Sequence, residues 1–81
     1  MKMRLILRIA ARTSKAESKL TEKEYERVMD VIRHEPETME KLEDFVMDQM
    51  EKQRIYIVWD RVVKWTSENW VGILKILGEK T

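Results

Sequence analysis

Residues 3–10 read MRLILRIA, and the period assigned to them decides the fold. Met3, Leu5, Leu7 and Ile9 alternate with Arg4, Ile6, Arg8 and Ala10, and only Ile6 breaks the polar side. Alternation at a period of two is the pattern of a half-buried strand. Met3, Ile6, Leu7 and Ala10 also stand at helical spacing, in a run of Leu, Arg and Ala that favours helix. The alternation predicts an N-terminal β-strand over 3–10. A strand needs a neighbour to be stable, so pairing is expected with residues 54–58, RIYIV, or with a second copy of 3–10 across a two-fold axis. Residues 12–19, RTSKAESK, hold no large apolar side chain and read as a linker, making 1–19 a basic strand or arm followed by a connection.

The rest of the chain reads as helix. Thr21 with Glu24 three residues on forms a capping box, and Tyr25, Val28, Met29 and Ile32 share one face, predicting a helix over about 21–34. Glu35 precedes Pro36 and is pushed out of the helical region, and Pro36 suits the first turn of a second helix over about 36–52. Its apolar face carries Met39, Leu42, Phe45, Val46 and Met50.

All three tryptophans fall in a third helix predicted over 59–77, WDRVVKWTSENWVGILKIL. On a wheel of about 100° per residue, Trp59, Val62, Val63, Trp70, Ile73, Leu74 and Leu77 share one meridian, with Val58, Trp65 and Ile76 on its flank. Asn69, at the edge of the apolar arc, and Val71, on the polar side, are the two misfits. This arc and that of 36–52 are centred roughly 110° apart on a common wheel, so a turn or the β-favouring run 55–58 must reset the phase between them. Gly78 ends the helix, and 78–81 read as a frayed tail. The predicted class is mainly α, three helices with an N-terminal strand; the alternative is α+β with a second short strand at 54–58.

Length and composition bound the function. At 81 residues the chain is one domain, and a chain of this size buries only about 60% of its unfolded surface. Without cysteine it has neither a disulfide framework nor a thiolate metal site, which leaves oligomerisation as the natural staple. No apolar run reaches the roughly 18 residues of a membrane span, and the N-terminus lacks the pattern of a secretory signal; a soluble cytoplasmic protein is predicted. The formal net charge of +1 conceals a pattern: 1–19 is +5, 20–51 is −7 and 52–81 is +3.

Catalytic candidates are few. His34, the single histidine, falls at a helix end, and Asp30 at i−4 supplies only half a metal site. Ser14, Ser18 and Ser67 have no local base, and two glycines cannot make a phosphate-cradling loop. The reading is therefore a non-enzymatic, regulatory interaction protein, with no cofactor and no metal, that binds a protein partner and self-associates. The apolar arc of 59–77 is wider than a single contact needs, so the interface is assigned to Val58, Trp59, Trp65, Trp70 and Ile76. Two alternatives stand beside it. The C-terminal helix could lie on a membrane surface, although Asp60 and Glu68 weaken that reading. A DNA- or RNA-binding regulator could use Lys2, Arg4, Arg8 and Arg12. A basic strand followed by two helices has the order of ribbon-helix-helix proteins, whose paired strands enter the major groove; the eight-residue linker and the third helix depart from that order. A winged-helix arrangement would gather Lys52, Arg54, Arg61 and Lys64 but lacks hairpin turn chemistry for its wing. Neither order defines a family.

Overall fold

The computed structural model describes residues 2–78, and those residues form five helices with no strand among them. They are α1 (Met3–Ala16), α2 (Glu22–His34), α3 (Pro36–Lys52), α4 (Trp59–Glu68) and α5 (Trp70–Ile76). The mainly helical class holds; the N-terminal strand and the α+β alternative do not. Met1 and residues 79–81, most of the expected tail, lie outside the described residues.

The first correction is α1. Met3, Ile6, Leu7, Ala10, Ala11 and Ser14 are all buried, the i, i+3, i+4, i+7, i+8 progression of a helix face. Both periods fit 3–10, but only the helix carries the pattern on into 10–14, where Ala10, Ala11 and Ser14 are small enough for close packing. A helix also satisfies its own backbone, whereas a strand here would need an edge to join. The expected linker at 12–19 is therefore half helix, and α1 packs along both α2 and α4.

The helix α1 ends without glycine. Ser18 adopts φ 62°, with Ser18 N–H donating to the Lys15 carbonyl at 3.1 Å and Lys19 N–H to the Ser14 carbonyl at 2.7 Å. That pair of bonds is a Schellman cap. The same motif closes α3, where Arg54 has φ 56°, Arg54 N–H reaches the Glu51 carbonyl at 3.0 Å and Ile55 N–H reaches Met50 at 2.9 Å. A side chain in the left-handed region opposes its own Cβ by about 1 kcal/mol or more. Arg54→Gly is expected to raise unfolding free energy by about 1 kcal/mol, measured by urea denaturation.

The two middle helices begin as read. Thr21 accepts from Glu24 N–H, Glu24 returns the bond to Thr21 N–H at 2.9 Å, and Pro36 opens α3. The second correction falls on 59–77, which is two helices. Asn69 leaves the helical region at φ −129°, ψ 31°, and its side-chain amide donates to the Trp65 carbonyl at 2.7 Å, satisfying a group that the break would orphan. Re-aiming the chain there brings Trp70, Ile73 and Leu74 into the core, while Val71 remains 60% exposed.

A single apolar cluster draws on all five helices. Two polar ties fasten the chain's ends to it. Trp70 Nε1 donates to Ser14 Oγ at 2.7 Å, joining α5 to the end of α1. Arg27 donates from Nε and Nη2 to the Leu77 carbonyl at 3.1 and 2.9 Å and pairs with the Glu35 carboxylate, so α2 holds both the start of α3 and the end of α5. The Arg27 guanidinium holds the Glu35 carboxyl below its ordinary range, with help from the Thr38 hydroxyl. Met29, Met39 and Met50 fill the core and Met47 packs half-buried against it, as expected of adaptable packing residues.

Candidate interaction surface

The segment between α3 and α4 is where the molecule leaves apolar side chains and backbone groups together at the surface. The Schellman cap on α3 throws the chain out of the helix at Arg54. From there Ile55 and Ile57 turn inward against the core, while Tyr56 and Val58 turn outward at 74% and 37% exposure. The in–out alternation is that of a strand with one face covered. Trp59, the first residue of α4, extends the outward face at 40% exposure. Val58 N–H donates to the Tyr56 carbonyl at 3.0 Å, and Val58 O accepts from Val62 N–H. Among the described residues, the N–H groups of Tyr56 and Ile57 have no backbone partner. The segment expected as a second strand is thus β-favouring, with a tight turn at Ile57 and an extended Val58, and it pairs with no other described segment.

The neighbouring residues are fixed in place. Trp65 Nε1 donates to Gln53 Oε1 at 3.2 Å, and the Trp65 ring lies 6.2 Å from that of Phe45, tilted by 58°. Phe45 in turn sits over Gly72, where an added Cβ would stand 3.3 Å from Cζ of the ring.

The five interface residues expected from the sequence separate. Trp65 and Trp70 are only 6% and 5% exposed and spend their surface inside the chain. Ile76 is half-buried, and Val58 and Trp59 reach solvent. Tyr56 is the residue the sequence reading missed. Its signal is the polar-capable member of an alternating apolar run, a pattern that an internal strand and an exposed surface share.

The expected basic residues are re-ordered by the change from strand to helix. Lys2, Arg4 and Arg12 are exposed and Arg8 is half-buried. In a helix Arg4, Arg8 and Arg12 follow one another at i+4, forming a ridge about 12 Å long. Beside its first turn is a cavity of about 340 Å³ lined by Lys2, Met3, Arg4, Leu5, Arg8 and Glu43. Among the described residues none of these four cations forms an ion pair, and Arg8 Nε is buried without a hydrogen-bond partner.

His34 and Asp30 are both exposed, and no three of His, Cys, Asp and Glu gather at metal-binding distance among the described residues. No helix among them is long and apolar enough to cross a membrane, and the break at Asn69 divides the amphipathic helix that a membrane surface would have received. No protein-family model, curated protein or solved structure matches the chain.

Proposed function

We infer that the chain is a non-enzymatic binding protein that self-associates, with a second copy seated on Tyr56, Val58 and Trp59. The observation that carries this reading is the coincidence, in one short segment, of three exposed apolar side chains with two unpartnered backbone N–H groups. Exposed apolar residues scattered singly are ordinary; contiguous ones on an extended edge invite pairing. A second copy suits the edge because a two-fold contact is self-complementary. In an antiparallel arrangement centred on Ile57, Tyr56 faces Val58 of the other copy, an aromatic beside a β-branched side chain. The small size of the chain and its lack of cysteine favour stabilisation by association. The patch is small, so the dimer is expected to be weak, with a dissociation constant in the micromolar range or above.

Sedimentation equilibrium tests the reading. Wild type is expected to show a concentration-dependent shift from monomer to dimer, and Tyr56→Lys with Val58→Lys should remain monomeric with unchanged helical circular dichroism, since both side chains are exposed. A wild type that stays monomeric to millimolar concentration, or a lysine variant that dimerises equally well, rules out this surface.

A further inference from the structure

The basic ridge of α1 has a different chemistry from the apolar edge. We propose that Arg4, Arg8 and Arg12, with Lys2 at the end of the row, bind the phosphodiester backbone of a nucleic acid. Three features of the free protein are unfavourable as they stand and are relieved by one kind of ligand. Successive arginines at i, i+4 repel one another. Lys2 and Arg4 sit at the positive end of a helix dipole, where the first turn holds no acid and the N-cap makes no side-chain bond. Arg8 Nε, half-way along, is buried with no partner in the wall of the cavity. A line of anions set along the helix answers the first two directly, and the third once the half-buried Arg8 side chain turns outward to meet it.

The arrangement favours a nucleic-acid strand over a lipid surface. Arg4, Arg8 and Arg12 form a single row at intervals of about 6 Å along the axis, suited to regularly spaced phosphates. The apolar face of α1, which a membrane would need, is buried in the core, leaving Leu5 alone exposed, at 42%, among the large apolar side chains of the helix. The acids of 20–51 do not cancel the ridge at a distance, because exposed charges are screened beyond about 8 Å at physiological ionic strength. Glu43, the one acid in the cavity lining, sits beside the first turn, so contact should be strongest toward Arg8 and Arg12.

The test is fluorescence anisotropy with a labelled mixed-sequence DNA duplex and the corresponding single strand, at several salt concentrations. With about three phosphate contacts, duplex affinity is expected to fall roughly fortyfold between 50 and 200 mM salt. Arg4→Gln with Arg12→Gln, both at exposed helical positions, should lower the log–log salt slope by about 2. Lys64→Gln with Lys75→Gln, equally exposed on α4 and α5, should leave it unchanged. Circular dichroism verifies that each variant is folded. Absence of binding to either DNA at low salt overturns the proposal, as does a slope that the arginine variant does not alter. Binding to anionic phospholipid vesicles without binding to DNA overturns it in favour of a membrane surface.

Discussion

Trp70→Ala should remove a large part of the protein's stability, lowering its urea midpoint sharply. Removing a buried tryptophan from a packed core costs about 3–5 kcal/mol, against a total stability of about 4–12 kcal/mol for a domain of this size. The site is less forgiving than an apolar one. Ser14 is fully buried and its hydroxyl accepts a hydrogen bond from Trp70 Nε1, so truncation leaves a cavity lined by an unsatisfied polar group. The bond can be separated from the volume. Trp70→Phe keeps most of the ring but removes the donor, and Ser14→Ala removes the acceptor; each should cost about 1–3 kcal/mol. The double variant should cost less than the sum, because once one partner is gone the other is already unpaired. Additive losses in urea denaturation would show that the bond contributes nothing to stability.

Arg27→Met should release the C-terminal end of the fold and remove part of its acid sensitivity. The guanidinium joins α2 to the Leu77 carbonyl with two bonds and to Glu35 at the entrance to α3, and its side chain is 27% exposed. Losing the bonds to Leu77 is expected to cost about 2 kcal/mol, the lower part of the range for charged donors because the group is partly solvated. The pH dependence follows from Glu35, whose folded pKa lies below the ordinary 4.5. A carboxylate held low binds fewer protons folded than unfolded, so its contribution is full above the unfolded pKa and disappears as pH falls through the folded one. Wild type should therefore lose stability on acidification from about pH 5, and Arg27→Met should lose less over the same interval. Parallel stability-against-pH curves for the two proteins would contradict the assignment.

Both ties explain what could be read from the sequence and what could not. The middle of the chain was legible because its signals are local: the Thr21 capping box, Pro36 at the first turn and acids at helix starts act within a few residues. Residues 3–10 were not, because Leu and Arg alternate in a way that satisfies two periods at once, and the choice was made by Ala10, Ala11 and Ser14 farther on. Ser14 looked like a linker residue because nothing nearby needs it; its partner is 56 residues away. Asn69 and Val71 were visible as misfits on a single wheel, and the helix does break between Glu68 and Trp70. The two left-handed caps carry Ser and Arg rather than Gly, which removed the usual signal for where α1 and α3 end.

Trp65 and Trp70 are core, so the apolar area left for a partner lies in the segment that leads into α4 and in Trp59 at its start. Its side chains alternate because Ile55 and Ile57 are held against the core, and that same constraint presents Tyr56 and Val58 together.

The measurement that reaches this claim most directly is a dilution series of amide nuclear magnetic resonance spectra, from millimolar to micromolar protein. Self-association through the edge predicts that the resonances of residues 54–60 shift with concentration while those of the exposed face of α2, Glu26, Asp30 and Arg33, stay fixed. Spectra that do not change on dilution, or changes confined to other helices, would contradict it.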